Sequence, residues 1–122
     1  MKILVIDDED DIRAISRLAL GRVGGMDVVD AVSGGDGIAK AVAEAPDAIL
    51  LDVMMPEHDG PAVLALLKAD PRTAAIPVIF LTAKAMVSEL ERLRALGAAG
   101  VLTKPFDPMS LAASVRAILG MR

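Results

Sequence analysis

Acidic residues cluster directly after two short apolar runs of the chain. Asp7 and Asp8 open a run of five consecutive acids that follows residues 3–6, and Asp52 follows residues 48–51. Carboxylates brought close together repel one another, which raises their pKa values or requires a cation between them. Carboxylate oxygens in an open pocket suit Mg²⁺, which keeps several waters and binds one or two protein carboxylates together with a phosphate.

A hydroxyl and an ammonium group follow two further apolar runs. Thr82 comes after residues 78–81, and Lys104 comes shortly after residues 101–102. Both can donate to phosphate oxygens, so with a carboxylate nucleophile and a metal ion they would complete a phosphoryl-transfer site. Each residue alone also fits a structural role, as a helix-dipole partner, a turn residue or a solvated charge. Their recurrence at four predicted strand ends favours the shared site.

The apolar runs alternate with helical patterns five times along the chain. The predicted strands cover residues 3–6, 28–32, 48–51, 78–81 and 101–102. Their lack of polar alternation is typical of parallel strands that helices cover on both faces. The predicted helices carry apolar stripes, formed by Ile12, Ile15, Ala19 and Val23, by Leu90, Leu93 and Leu96, and by Leu111, Val115 and Ile118.

This alternation predicts an α/β fold built on an open, doubly wound parallel sheet. In such sheets, ligands bind beyond the carboxyl ends of the strands, where the strand order reverses. Asp59 before Gly60 predicts one helix start, and Asp107 before Pro108 predicts another with proline in the first helical position. The glycine-rich residues 33–37 lack the spacing of a phosphate-binding loop and predict a turn with a helix cap.

Composition narrows the class of protein further. The chain has 122 residues, 54% of them apolar, and no cysteine, which predicts one domain over residues 1–122 without disulfides or thiolate metal sites. Seventeen acids against 13 bases, with no basic patch, argue against nucleic-acid binding. The N-terminal apolar run is too short for a signal peptide or a membrane span. We therefore expect a cytoplasmic protein with no membrane insertion.

The strand-end motifs resemble those of the receiver domain of bacterial two-component response regulators, of the single-domain, CheY-like kind. The resemblance covers essentially the whole chain. Its motifs are Ile6-Asp7-Asp8-Glu9, Leu51-Asp52-Val53-Met54-Met55-Pro56 with Asp59-Gly60, Leu81-Thr82-Ala83-Lys84, and Thr103-Lys104-Pro105-Phe106. It implies a (βα)5 fold with the flavodoxin-like strand order 2-1-3-4-5.

The resemblance also implies the chemistry of the acids. Asp52 matches the phosphoacceptor, whose carboxylate attacks a phosphohistidine on a sensor histidine kinase or a phosphotransfer protein and forms an acyl phosphate. Asp8 matches the acid that contacts Mg²⁺ directly, and Asp7 matches the one that acts through water. Met54 occupies the position whose backbone carbonyl is a further metal ligand. The protein would be a phosphoacceptor and not a turnover enzyme.

Two further positions match the family's switch. Thr82 corresponds to the hydroxyl that moves toward the phosphoryl group, and Lys104 corresponds to the lysine that pairs with that group. The resemblance also implies that the Lys104-Pro105 bond is cis. The output would be a changed affinity of the face formed by the fourth helix, fifth strand and fifth helix for a partner protein. Val101 stands where many receivers have an aromatic residue, so rotation of an aromatic ring is not the readout.

Three other functions fit the sequence less well. A phosphorylation-independent docking domain of the same fold would usually lack the acceptor or a metal acid, and none is missing here. A flavodoxin-like FMN protein would need hydroxyls and amides after the first strand, where this chain has acids that repel a phosphate. A phosphatase of the haloacid dehalogenase type would need a second aspartate two residues after Asp52, where Met54 stands.

Overall fold

Five parallel strands form one sheet in the computed structural model of the protein, which describes residues 1–120. The strands are β1 (Lys2–Ile6), β2 (Asp27–Ala31), β3 (Ala48–Asp52), β4 (Val78–Thr82) and β5 (Gly100–Thr103). Their order is β2-β1-β3-β4-β5, and all neighbours pair in parallel. The predicted fold class and strand order are confirmed. Residues 121 and 122, the last two of the predicted domain, lie outside the described residues.

The helices cover both faces of this sheet. They are α1 (Asp10–Ser16), which continues as a π-helical segment (Arg17–Val23), α2 (Gly34–Glu44), α3 (Gly60–Ala69), α4 (Val87–Ala95) and α5 (Leu111–Ile118). One buried cluster joins Phe80 of the sheet to α2, α3 and α4, and the other joins Ile79 to the π-helical segment and α5. Every residue of β3 and β4 is buried, which explains why their sequences show no polar alternation.

The apolar stripe predicted for the first helix is wrong at two positions. Ile15 and Val23 are 37% and 48% exposed, whereas Ala19 and Leu20 are fully buried. The helix changes from α to π after Ser16, and the wider turn shifts Val23 away from the 3.6-residue period. Ile15 lies before this change, where the adjacent Ser16 is the buried residue instead. In the fourth helix, Leu93 is buried as predicted, but Leu96 follows the last helical residue and is exposed.

The predicted helix boundaries hold at α2 and α3 and fail at α5. The side chains of Ser33 and Asp59 cap α2 and α3 by accepting from the N–H groups three residues on. Asp107-Pro108 does not begin a helix. The Asp107 carboxylate accepts from the Met109 N–H at 2.9 Å, which closes a turn, and regular helix begins only at Leu111. Leu111 and Val115 are buried as predicted.

The residue that ends α2 has a backbone conformation whose cost in stability can be tested. Ala45 terminates this helix with φ 44° and ψ 58°, a left-handed conformation that favours glycine. We expect Ala45→Gly to raise the free energy of unfolding by about 0.5–1 kcal/mol, because relief of strain exceeds the added entropy of the unfolded chain. Urea unfolding at neutral pH measures this.

The control is the same substitution two residues earlier. Ala43 is exposed and helical, so Ala43→Gly should lower the free energy of unfolding by about 1 kcal/mol. Equal destabilisation by both substitutions would show that the left-handed conformation of Ala45 carries no strain.

Candidate functional site

The acidic residues lie where the strand order of the sheet reverses. β1 and β3 are neighbours, and their last paired residues are Ile6 and Leu51. β1 connects onward to β2 on one side of this pair and β3 connects to β4 on the other side, so the loops that follow them diverge and leave a crevice. Asp7 and Asp52 stand at the mouth of this crevice, only 1% and 3% exposed. Two ionisable carboxylates are therefore buried side by side.

Lys104 places its ammonium group among these acids. Its Nζ lies 3.1 Å from Asp7 Oδ2, 3.3 Å from Asp52 Oδ1 and 3.5 Å from Glu9 Oε1. The backbone N–H of Lys104 donates to the Thr82 carbonyl at 2.7 Å, which ties the end of β5 to that of β4. The Lys104-Pro105 bond is cis, as the resemblance implied. One lysine thus bridges acids from two different strand ends.

Burial dominates the protonation of this cluster. Burial raises the pKa of Asp7 despite the Glu9 amide and the Lys104 charge that favour its ionised form. Burial and the Asp7 charge together raise the pKa of Asp52 to about 6, against the opposing effect of Lys104. For Lys104, burial opposes ionisation, but attraction to Asp7 and Asp52 outweighs it and raises the pKa. One ammonium is too little charge for this set of carboxylates.

The acids fit a divalent cation. One carboxylate oxygen from each of Asp7, Asp8, Glu9 and Asp52 lies within 4.8 Å of the other three. Asp52 Oδ2 is buried and has no hydrogen-bond partner among residues 1–120, which leaves one carboxylate oxygen of this acid without a donor. A hard oxygen donor set of this kind suits Mg²⁺.

Three further predicted residues, Thr82, Met54 and Val101, lie outside the acidic cluster itself. Thr82 ends β4 and is 1% exposed, and its hydroxyl accepts from the Lys84 N–H at 3.1 Å. The Met54 N–H donates to Asp52 Oδ1 at 3.3 Å, while its side chain is 64% exposed. Val101 is partly buried against the core cluster beneath α4. These placements leave the roles expected for Thr82 and Met54 as predictions.

Two residues of the site were missed as functional by sequence reasoning. Glu9 directly follows the acidic pair, but the sequence motif does not indicate it as a potential ligand. The sequence around Gly60 indicates only a helix start. A Cβ at Gly60 would lie 2.7 Å from the Asp52 carbonyl oxygen, so glycine lets α3 approach the backbone of the acid. The Asp-Gly-Pro sequence marks the turn but gives no sign of this contact.

The fold and the crevice define a class, that of doubly wound α/β proteins with an acidic, lysine-bridged pocket at the switch point. Residues 3–116 match the family described as the response regulator receiver domain. The chain belongs to this family, the receiver domains of two-component systems. Members of the family interact with histidine kinases and downstream effectors.

Individual relatives agree with this assignment. The DNA-binding dual master transcriptional regulator RpaA of Synechocystis is 43% identical over 97% of this chain, which spans 48% of RpaA. Protein PilG of Pseudomonas aeruginosa is 36% identical over 96% of this chain and 86% of PilG. The chemotaxis protein CheY4 of Vibrio cholerae superimposes with a TM-score of 0.88 at 29% identity, covering 96% of this chain and 97% of CheY4.

The relatives differ in how much of their length this chain represents. The chain spans about half of RpaA and also 48% of PhoP of Bacillus subtilis, but nearly all of CheY4. Within residues 1–120, none of the helices has both the length and the apolar character needed to cross a bilayer.

The raised pKa of Asp52 predicts that removing its charge increases the free energy of unfolding, by an amount that depends on pH. In the folded protein the pKa of Asp52 is about 6, whereas the pKa of the unfolded carboxyl is 3.8. The stability that this shift contributes is complete below the unfolded pKa and is lost as the pH rises through the folded one. In EDTA at pH 8, Asp52→Asn should therefore be more stable than wild type by up to about 3 kcal/mol.

Urea unfolding from pH 8 to pH 4 tests this expectation. The advantage of Asp52→Asn should shrink steadily as the pH falls, because wild-type Asp52 then becomes neutral as well. If the advantage grows toward pH 4, or if the variant is less stable at pH 8, then burial does not outweigh the Lys104 charge in setting the pKa of Asp52.

Proposed function

We propose that this chain is a phosphorylation-controlled switch in which Asp52 accepts a phosphoryl group. The observation that carries the proposal is the Asp52 carboxylate itself. It is 3% exposed at the switch point, with Oδ1 held by Lys104 and the Met54 amide and with Oδ2 free of any donor within residues 1–120. A buried, pre-oriented carboxylate with one unengaged oxygen is a suitable nucleophile.

The proposed donor is a phosphohistidine of a sensor histidine kinase or a phosphotransfer protein. A carboxylate oxygen of Asp52 attacks phosphorus, an O–P bond forms, and the N–P bond of the donor breaks. The imidazole nitrogen leaves with the bonding electron pair and takes up a proton. Hydrolysis of the resulting acyl phosphate releases inorganic phosphate and restores the carboxylate. Because Asp52 is itself modified, the chain acts as a phosphoacceptor and not as a turnover enzyme.

The acids of β1 and β3 would hold Mg²⁺ in this reaction. Asp8 and Asp52 would be the direct carboxylate ligands, Asp7 would act through water, and the Met54 carbonyl would complete the protein ligands. When bound, Mg²⁺ neutralises charge on the phosphoryl oxygens. Glu9 brings a fourth carboxylate into the same cluster. It also adds to the negative field that attracts the cation.

Lys104 supplies the protein's own positive charge at this site, beside the charge that Mg²⁺ would bring. Its ammonium is shared between Asp7, Glu9 and Asp52, so a phosphoryl group on Asp52 offers it additional anionic oxygens at the same place. Movement of this lysine is transmitted to the backbone, because its N–H is bonded to the Thr82 carbonyl. Lys104 is thereby proposed to sense the modification and not only to neutralise it.

The proposed output surface is the α4–β5–α5 face. Thr82 lies at the base of the loop that leads into α4, and Met86, Val87 and Met109 on neighbouring loops and helix ends are 70–72% exposed. Exposed apolar side chains of this kind suit a protein partner and not a nucleic acid. We therefore propose a cytoplasmic signalling role in which phosphorylation changes the affinity of this face for a protein partner.

Phosphorylation of Asp52 can be tested directly with a small phosphodonor. Incubation with acetyl phosphate and Mg²⁺ should add one phosphoryl group to the wild-type protein, observed by intact-mass spectrometry at low temperature. Asp52→Asn should gain none because it lacks the nucleophile. Asp47, which precedes the opposite end of β3, offers a matched control, and Asp47→Asn should react like wild type. Labelling that persists in Asp52→Asn, or none in wild type, would contradict the proposal.

The switch role of Thr82 predicts a separation of chemistry from response. Thr82→Val keeps the shape of the buried side chain but removes its hydroxyl. We expect beryllofluoride and Mg²⁺ still to occupy Asp52 in this variant, while the resulting amide chemical-shift changes in α4 and β5 fall to a fraction of those in wild type. Thr82→Ser, which keeps the hydroxyl, should respond like wild type. Full-size changes in Thr82→Val would show that the response bypasses the hydroxyl.

A further inference from the structure

Arg13 of α1 directs its side chain back toward the carboxyl end of β1. The side chain is only 12% exposed. Its Nη1 donates to the backbone carbonyl of Asp7 at 2.8 Å, its Nη2 pairs with Asp10, and its Nε lies 3.7 Å from Asp30 Oδ2 on β2. We propose that Arg13 is a positioning residue that orients the acidic pair for Mg²⁺, an inference that rests on the function proposed above.

The contact with Asp7 involves a carbonyl that no longer takes part in the sheet. The Asp7 N–H still donates to the Ala31 carbonyl of β2 at 3.2 Å, but β1 itself ends at Ile6. The Asp7 carbonyl is bonded instead by the guanidinium of Arg13. This carbonyl belongs to the peptide unit that joins Asp7 to Asp8. Because the peptide unit is planar, fixing the direction of its carbonyl fixes the direction in which the chain enters Asp8.

One guanidinium therefore influences both acids of the pair. The Asp7 side chain is held on its other side, since its Oδ1 accepts from the Glu9 N–H at 2.9 Å. Asp8 is exposed, and within residues 1–120 its side chain has no comparable anchor apart from the backbone that Arg13 holds. Residues that orient metal ligands typically change metal affinity by about 10–100-fold when they are removed. Loss of the Arg13 contact should accordingly appear in Mg²⁺ affinity.

Arginine is suited to this place by its geometry. The guanidinium has five N–H donors in a rigid fork, so it can bond a carbonyl and two carboxylates at once. Asp10 in the first turn of α1 and Asp30 on β2 hold it from two directions. A lysine would bring the same charge to the Asp7 carbonyl without this fixed orientation.

Arg17 provides a matched control within the same network. It lies four residues later on the helix, and its Nη1 is 3.2 Å from Asp30 Oδ1 and 3.5 Å from the Val28 carbonyl. Arg13 and Arg17 both pair with Asp30. Arg17→Gln therefore removes one of these guanidinium groups but leaves the bond from Arg13 to the Asp7 carbonyl intact. Any difference between Arg13→Gln and Arg17→Gln therefore reflects the contacts that Arg13 alone makes, with the Asp7 carbonyl and with Asp10.

The test is a Mg²⁺ titration followed by amide NMR on wild type, Arg13→Gln, Arg13→Lys and Arg17→Gln. Arg13→Gln should raise the Mg²⁺ Kd about 10-fold or more, and Arg17→Gln should leave it within about two-fold of wild type. In metal-free protein, the Glu9 amide resonance should shift in Arg13→Gln only, because it reports the Asp7 carboxylate. Thermal unfolding in EDTA separates these effects from a general loss of stability.

The outcomes distinguish this inference from the proposed function. Unchanged Mg²⁺ affinity in Arg13→Gln, or equal weakening in Arg17→Gln, would overturn the role of Arg13 while the Mg²⁺ site itself stands. Wild-type protein that binds no Mg²⁺ would overturn both. Arg13→Lys should fold even if Arg13→Gln does not, and a weaker Mg²⁺ affinity in this charge-conserving variant supports the positioning role, whereas wild-type affinity in it would overturn that role.

Discussion

The burial of Asp7 beside Asp52 is the constraint on which the rest of the structure depends. Two carboxylates that are almost completely excluded from water repel one another, and one lysine does not restore the ordinary pKa of either. Such an arrangement lowers the stability of the folded chain at neutral pH. It persists because the strands that carry the two acids are fixed by a sheet buried on both faces.

The surrounding elements either hold the acids or compensate their charge. The β1–β3 register sets the two strand ends side by side, and Gly60 allows α3 to begin against the backbone of Asp52. Lys104 arrives from β5 at the far side of the crevice, and Arg13 holds the chain where it leaves β1. A cation entering this cluster would relieve the repulsion that the protein leaves uncompensated. Cation binding would therefore be coupled to folding at this site, since any ion bound only by the folded state stabilises it.

Much of this arrangement was predictable from sequence because it depends on strand ends. Short apolar runs without alternation predict all five strands to within one residue at each end, and the polar residues after them converge by topology alone. Contacts that depend on three-dimensional approach were not predictable. The π-helical segment after Ser16, the later start of α5 at Leu111 and the close approach at Gly60 have local or steric causes that residue periodicity does not encode.

Under the proposed function, a response that passes from Asp52 to the outer face cannot use an aromatic side chain at position 101, where β5 has Val101. Val101 pairs in register with Phe80 and packs on the core, so the β4–β5 backbone is the continuous connection. That connection includes the bond from the Lys104 N–H to the Thr82 carbonyl. α4, which follows, is anchored by one fully buried residue, Leu93, and no side chain within residues 1–120 caps its N-terminus. Under the proposed function, an element with so few anchors would need little free energy to move, and small displacements of the β4–β5 backbone would shift α4.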